Sequence, residues 1–135
     1  MPYLLDTCTL SDYLKGDRNT MVRFKQEKPY NIYFSAITRF EIEYGLQLKS
    51  SLIEKIEPQL EVIYQKTKTL DFSAIEAKVT AKIRKELKQM GQPIGFYDLL
   101  IAGTAVTHDL ILVTSNVKEF AKVKELKIEN WRSNK

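Results

Sequence analysis

Four acidic residues of this chain occupy positions that suggest a chemical role. Each one either follows a predicted strand or lies among apolar residues, where an unpaired carboxylate costs free energy. Asp6 comes directly after the apolar run "YLL", and Asp98 lies within the mainly apolar segment "PIGFYDLLIAGTAV". Glu41 shares a predicted helix face with apolar residues, and Glu119 follows the buried run "LILVT" after a short turn. Acids gathered at one place would repel one another by about 4 kcal/mol per close pair unless cations neutralised them. With oxygen ligands alone, the expected cation is Mg²⁺ or Mn²⁺.

Each acid taken alone also has a structural explanation. Asp6 fits a turn or a helix N-cap, and Asp98 fits a residue that caps its own helix near the positive end of the helix dipole. Glu41 fits a buried salt bridge to some Lys or Arg, and Glu119 fits a solvated helix residue. A divalent ion that the acids share would serve phosphodiester hydrolysis, because it lowers the pKa of a bound water and stabilises the leaving oxygen.

Composition excludes several other kinds of site. The 135 residues suit one domain, and a single cysteine, Cys8, with a single histidine, His108, leaves neither an internal disulfide nor the usual nitrogen and sulfur zinc site. No stretch approaches the roughly 18 apolar residues of a membrane helix, and no signal peptide is recognisable, so we expect a cytoplasmic protein. The net charge of +4 is compatible with a polyanionic partner. The basic runs at 66–68 and 82–88 are interpreted as exposed helix surface.

Short apolar runs alternate with longer helical patterns, which predicts an α/β fold with a mainly parallel sheet. Strands are predicted at 3–5, 32–34, 67–70, 110–114 and 126–128. Helices are predicted at 10–15, from Asn19 or Thr20 to 28, and after a cap at Ser35. A further helix is predicted at 52–65, with a kink or break at Pro58, and another from a Ser73–Glu76 capping box to Gly91. The last two helices are predicted at 97–107 and at 118–122.

Ligands of parallel sheets bind outside the carboxyl ends of the strands, where Asp6 and the group Thr114, Ser115 and Asn116 are expected. At about 100° per residue, Glu41 falls on the same face as Phe40 and Tyr44, and this apolar face is predicted to be buried.

The helix that carries Asp98 has small residues after the acid. Ala102, Gly103 and Ala105 are expected to let this helix lie close to the sheet, so that Asp98 reaches Asp6.

Five segments in order, "YLLDTCTLSDYLK", "SAITRFEIEYG", "PIGFYDLLIAGTAV", "LVTSNVKEF" and "IENW", make the chain resemble the PIN-domain ribonuclease toxins of the VapC type. The resemblance implies one domain over 1–135, folded as a three-layer α/β/α sandwich around a parallel sheet. It implies that Asp6, Glu41 and Asp98 bind Mg²⁺ or Mn²⁺. It further implies roles for neighbouring residues: Glu119 and Asn116 complete the pocket, and Thr7 and Thr114 orient carboxylates or water, with Ser115 as a lesser candidate.

The resemblance also implies a function and partners. The family members are endoribonucleases that cut structured RNA, often a tRNA, and so stop translation. They form homodimers, and a VapB-type antitoxin neutralises them with a tail that covers the acidic pocket. The chain departs from the family pattern at Asn116, where many relatives have Asp, and at Cys8, where relatives frequently have Asn. The first departure bears on the occupancy of a second metal site.

Two other functions are compatible with the sequence. One is a non-catalytic PIN-like module that binds RNA or protein and has kept the acidic pocket. The other is a phosphoaspartyl protein of the receiver or dehalogenase-like kind, which also has an Asp after its first strand. A dehalogenase-like nucleophile has a second Asp two positions on, where this chain has Cys8.

Overall fold

The computed structural model describes residues 2–133, which form five β-strands and seven α-helices. The elements follow in the order β1 (Tyr3–Leu5), α1 (Thr7–Leu14), α2 (Arg18–Gln26), β2 (Ile32–Ser35), α3 (Ala36–Leu48), α4 (Ile53–Lys66), β3 (Lys68–Leu70), α5 (Ala74–Gln89), α6 (Phe96–Thr107), β4 (Ile111–Val113), α7 (Val117–Phe120) and β5 (Lys127–Glu129). No helix in this part of the chain is long and apolar enough to cross a membrane.

The central sheet is parallel throughout, with the strand order β3-β2-β1-β4-β5. β1 lies in the middle, where Tyr3 pairs with Ile32 of β2 on one side and with Ile111 of β4 on the other. Because all strands run the same way, their carboxyl ends meet at one edge of the sheet. The predicted parallel sheet is confirmed, and Asp6 and Thr114 follow neighbouring strands at that edge.

Helices cover both faces of the sheet, since successive residues of a strand point to opposite sides. Tyr3 and Leu5 belong to an apolar cluster that α1, α3 and α4 complete. Leu4 belongs to a second cluster, which includes Ile83 of α5 and Ile101 of α6. The three-layer α/β/α sandwich implied by the resemblance is therefore confirmed.

Several helix starts differ from the sequence prediction because a different residue provides the cap. α1 begins at Thr7 rather than at Leu10, since Asp6 itself is its N-cap. α2 is capped by Asp17, whose carboxylate accepts a hydrogen bond of 3.1 Å from the backbone of Thr20. α4 remains one helix through Pro58, so no break occurs there. The Ser35 cap and the Ser73–Glu76 capping box are confirmed.

The small residues of α6 have two different neighbours. Ala102 and Ala105 are buried in the cluster beneath the sheet, as expected. Gly103 instead faces α5, where a Cβ added to it would lie 1.7 Å from Thr80 Oγ1 and 2.8 Å from Thr80 Cβ. The absence of a side chain at Gly103 therefore sets the separation of α5 and α6, not that of α6 and the sheet.

Candidate active site

Asp6 is held at the end of β1 by hydrogen bonds to the backbone of two other residues, Thr9 and Val113. Its side chain accepts a hydrogen bond of 2.8 Å from the backbone of Thr9, and its own N–H donates to the carbonyl of Val113 at 3.0 Å. The residue is only 2% exposed. Burial raises the pKa of Asp6, and hydrogen bonds from Thr114 and Thr9 offset part of that rise. Asp6 is thus the N-cap of α1, which is the structural role that its sequence position suggested. It also lies near the other acids.

Glu41 is held by a hydroxyl from α1. The side chain of Thr7 donates a hydrogen bond of 2.6 Å to Glu41 Oε1, and Thr38 Oγ1 lies 3.3 Å from the same hydroxyl. Within residues 2–133, Glu41 forms no salt bridge to a Lys or Arg, so the alternative of a structural ion pair is not supported. Thr7, which directly follows Asp6, thus connects the end of β1 to the second acid of the site.

The helix face that carries Glu41 is not buried, contrary to the sequence prediction. Phe40, Tyr44 and Leu48 are 51%, 57% and 67% exposed, whereas Thr38 and Leu46 are the buried residues of α3. Phe40 lies at a ring-centroid distance of 5.7 Å from Tyr97 of α6. Periodicity shows which side of a helix is apolar, but it does not show whether another element covers that side.

Asp98 is the third residue of α6 and faces the other acids. Gly95 is the N-cap of this helix, and none of the hydrogen bonds found within residues 2–133 involves the Asp98 carboxylate, so the predicted capping role is not seen. Burial raises the pKa of Asp98 to about 6, and the negative charges of Asp6, Glu119 and Glu41 add to that rise. The side chain therefore lacks the partner that a partly buried carboxylate requires.

Glu119 is anchored by the loop before α6. Its Oε2 accepts a hydrogen bond of 2.9 Å from the N–H of Gly95, and its Oε1 lies 3.4 Å from Lys122 Nζ. A Cβ built at Gly95 would be 3.6 Å from Asp98 Oδ2 and 3.8 Å from Glu119 Oε2. Gly95 therefore lies between two of the acids and leaves the space beside them open. No role at the site was predicted for Gly95 from the sequence.

The residues after β4 contribute unequally. The hydroxyl of Thr114 is fully buried, lies near Asp6 and accepts a hydrogen bond of 2.9 Å from the N–H of Asn116. Asn116 itself is exposed, and its side chain forms none of the hydrogen bonds found in the described residues. Ser115 is partly exposed. Thr114 thus supports the site directly, whereas Asn116 contributes a backbone contact.

The donor atoms available at the site are carboxylate and hydroxyl oxygens. Desolvation, with the negative charges of Asp6 and Asp98, raises the pKa of the Cys8 thiol to about 11, so it remains protonated near neutral pH. His108 lies at the other end of α6, where its Nε2 is 2.5 Å from Glu76 Oε2. A hard, oxygen-seeking divalent cation fits this donor set.

The four carboxylates are not close enough together to form a complete set of metal ligands. Among residues 2–133, no group of three or more His, Cys, Asp and Glu side chains is close enough to hold a metal ion as the side chains stand. The acids would have to come closer together to share one ion.

A comparison with family models matches residues 3–126 to the PIN domain. The chain belongs to the PIN domain family. This PIN domain is 38% identical over 97 residues to a protein of Shigella flexneri named tRNA(fMet)-specific endonuclease VapC, which covers 72% of this chain and 73% of that protein. It is 33% identical to the protein of the same name from Salmonella typhimurium over 97% of this chain and 98% of the relative.

Solved structures agree with this assignment to the VapC type of PIN domain. The structure of VapBC2 from Rickettsia felis, bound to a DNA fragment from their promoter, contains a chain that matches with a TM-score of 0.87 and 32% identity. The match covers 97% of this PIN domain and 99% of that chain. The likeness therefore extends over the whole fold rather than over a single motif.

Residues 131–133 contact α1, the helix that Asp6 caps, and α2. Arg132 donates to both oxygens of Asp12 on α1, from Nε at 3.0 Å and from Nη2 at 2.9 Å. Trp131 is 1% exposed, and its carbonyl accepts a hydrogen bond of 2.7 Å from Asn19. The Asp12–Arg132 pair was not predicted, because its members are separated by 120 positions and no local pattern connects them.

Proposed function

We propose that this chain, as a single nuclease domain, is a divalent-metal-dependent endoribonuclease and the toxin of a VapBC-type pair. Asp6, Glu41 and Asp98 would hold Mg²⁺ or Mn²⁺, with Glu119 as the fourth carboxylate. The observation that carries the proposal is the electrostatic position of Asp98, a partly buried carboxylate that faces three other acids without a cationic side chain bound to it in the described residues. A divalent cation would supply the missing positive charge.

The surrounding residues support distinct roles for the acids. Asp6 is immobilised by the backbone of Thr9, so it can act as a fixed ligand at the strand end. Glu41 is oriented by Thr7, and a carboxylate whose second oxygen remains free can bind an ion while it keeps that hydrogen bond. Glu119 is already engaged with Gly95 and Lys122, which favours an outer position beside the ion rather than a central one.

A bound ion would neutralise the carboxylates, activate a water and stabilise the charge that develops on the phosphate. The protein must then hold the phosphodiester in line with that water. Thr114, which is buried beside Asp6, can orient the carboxylate, and the open space at Gly95 lets a phosphate approach Asp98 and Glu119. Asn116 is exposed near these residues and can contact the substrate from outside the group of acids.

The names of similar proteins support proposals for the substrate and the partners of this chain. Because proteins that are 38% and 33% identical are named tRNA(fMet)-specific endonucleases, we propose a structured RNA, and specifically a tRNA, as the substrate. Because matching structures are named VapBC, we propose a VapB-type antitoxin as the partner that neutralises the activity. Action on tRNA implies a cytoplasmic enzyme. The exposed aromatic side chains of α3 are compatible with the homodimer that the resemblance implies.

The experiment is a cleavage assay with purified protein and end-labelled tRNAs, among them the initiator tRNA, with Mg²⁺, with Mn²⁺ or with a chelator. We expect cleavage that requires a divalent ion. Asp98→Asn and Asp6→Asn should each reduce the rate by at least about 100-fold, more than is usual for residues that only support a ligand. Asp71→Asn, at an exposed position outside the site, is the matched control.

Glu41 permits a second matched pair on one helix. Glu41→Gln should abolish ion-dependent cleavage, whereas Glu43→Gln, at an exposed position of α3 outside the group of acids, should leave it unchanged. A folded wild-type protein that binds RNA but never cleaves it, with any ion or RNA tested, would favour the non-catalytic module. Labelling by acetyl phosphate that disappears in Asp6→Asn would favour a phosphoaspartyl protein.

A further inference from the structure

A groove of about 940 Å³ runs between α5 and α6. Its floor is formed mainly by apolar side chains, among them Phe72, Leu87 and Leu100. Its rim on the α5 side carries three basic residues, which are Arg84, Lys85 and Lys88. We call this feature the α5–α6 groove. It combines an apolar base with a positively charged border.

The basic rim follows from the periodicity of α5. Arg84, Lys85 and Lys88 are spaced so that they share one side of the helix with Ala77 and Ala81, which also line the groove. All three basic residues are exposed, and none of them forms a salt bridge with another residue of the described chain. Their charges are therefore directed to solvent and are free to bind an anionic partner.

The α5–α6 groove ends beside the candidate active site. Pro93, Ile94 and Phe96 line the groove, and Gly95 between them contacts the acids on the other side of the loop. Phe96 is 59% exposed, and its ring centroid is 5.9 Å from that of Tyr97, the residue before Asp98. One loop thus separates the apolar, positively bordered groove from the negatively charged group of carboxylates.

We propose that the α5–α6 groove binds the RNA strand next to the phosphodiester that is cleaved. Arg84, Lys85 and Lys88 contact its phosphates, and the apolar floor with Phe96 contacts unstacked bases. This inference rests on the proposed function, because it assigns a substrate path to the same site. It also gives the basic run at 82–88 a role beyond that of a solvated helix face.

Charge complementarity favours RNA over the other possible occupants. A second copy of this chain that packed symmetrically on the groove would bring its own basic α5 against three cations that form no salt bridge within the described chain. A polyanion instead releases counterions when the cations neutralise its phosphates, and aromatic or apolar side chains accept bases without requiring a particular sequence. Bases are accessible to such a floor only where the RNA is single-stranded.

The test measures RNA binding without cleavage. A fluorescein-labelled single-stranded RNA and an intact tRNA are titrated with the 135-residue protein in a chelator, and the fluorescence anisotropy is measured at several salt concentrations. Arg84→Gln/Lys88→Gln removes two rim charges and keeps good helix-forming residues. We expect this variant to bind about tenfold more weakly, with a slope of log Kd against log salt that is lower by about 1.4.

The control removes the same charge from residues of the same helix that do not line the groove. Lys78 and Lys82 are exposed on α5 and do not line the groove, so Lys78→Gln/Lys82→Gln should change Kd by less than about twofold. Phe96→Leu keeps an apolar side chain but removes the ring, and it should weaken binding of single-stranded RNA by about tenfold while its effect on an RNA duplex is smaller.

The inference would be overturned if both double variants weakened RNA binding equally, or if neither weakened it. It would also be overturned if Arg84→Gln/Lys88→Gln lost self-association when molar mass is measured by light scattering. The last result would identify the groove as a contact between copies. Because binding is measured without a divalent ion, groove-dependent binding by a protein that never cleaves RNA would contradict only the proposed nuclease. Normal cleavage with an unchanged KM in the groove variant would contradict only the present inference.

Discussion

The hydroxyl of Thr7 donates a 2.6 Å hydrogen bond to the carboxylate of Glu41, and Thr7 directly follows Asp6 in the chain. One peptide unit therefore connects the strand-end acid to the residue that orients the acid on α3. A change at Thr7 should alter the position of Glu41 without removing any carboxylate.

We expect Thr7→Val to lower the cleavage rate and the affinity for Mn²⁺ by about 10-fold to 100-fold, because Glu41 loses the donor that fixes its orientation. Thr7→Ser keeps the hydroxyl and should restore most of both. Cleavage kinetics and calorimetric titration with Mn²⁺ measure the two effects. Equal activity of the Val and Ser variants would show that the hydrogen bond has no role in the site.

A divalent ion should stabilise the folded protein, since it relieves repulsion among the acids. At ten times its Kd, an ion bound only to the folded state adds about 1.4 kcal/mol to the free energy of unfolding. We therefore expect Mn²⁺ to raise the Tm of the wild type and of Asp71→Asn by several degrees, and a chelator to reverse the rise. Asp98→Asn should show little change with Mn²⁺. A Tm rise of the same size in Asp98→Asn would remove Asp98 from the ligands.

Two glycines on different helices should respond to alanine with opposite signs. At Gly103 the added methyl would overlap Thr80, so Gly103→Ala should lower the free energy of unfolding by about 2 kcal/mol or more through overpacking. At Gly45 of α3 a Cβ meets nothing within 4 Å, so Gly45→Ala should raise it by about 0.5–1 kcal/mol through helix propensity. Denaturant unfolding of both variants measures the difference. A stable Gly103→Ala protein would mean that α5 and α6 can separate at little cost.

Glu76 should make the protein sensitive to acid. Hydrogen bonds from Ser73, with a smaller contribution from His108, lower the pKa of Glu76 from 4.5 to about 2 although the side chain is buried. Because the folded pKa is the lower one, the stabilisation is complete above pH 4.5 and is lost as the pH falls towards 2. We expect a loss of about 2 kcal/mol across that window in the wild type.

Glu76→Gln should be less stable than the wild type at neutral pH but should lose less stability on acidification. Glu86→Gln, on the same helix but outside this hydrogen-bond network, is the control and should follow the wild-type pH curve. Urea unfolding between pH 2.5 and pH 7 measures all three proteins. Parallel curves for the wild type and Glu76→Gln would contradict the assignment.

The sequence predicted the features that depend on local chemistry. The parallel sheet followed from short apolar runs between helical patterns, and the Ser35 cap and the Ser73–Glu76 box followed from residue type and spacing. Asp6 was recognised as a strand-end residue because the strand before it is short and apolar. Its second role as N-cap of α1 shifted the start of that helix to Thr7, three residues before the prediction.

The sequence could not predict features that depend on which elements meet in space. On the apolar side of α3, Phe40, Tyr44 and Leu48 are each more than half exposed, although Phe40 contacts Tyr97 of α6. The contact between Gly95 and Glu119 joins a loop and a helix that are 24 positions apart, and nothing local to either residue indicates it. The position of Gly103 against Thr80, likewise, depends on the packing of two helices.

The place of β1 in the sheet has a consequence for synthesis of the protein on the ribosome. β1 is synthesised well before β4, which is one of its two partners, so Tyr3 must wait for Ile111 before the centre of the sheet can close. Asp6 likewise meets Asp98 and Glu119 only after those residues have left the exit tunnel. A nascent chain, or one released early by a premature stop before β4, therefore lacks an assembled site. Long-range pairing of this kind delays assembly of the candidate site until β4 and α7 have been synthesised.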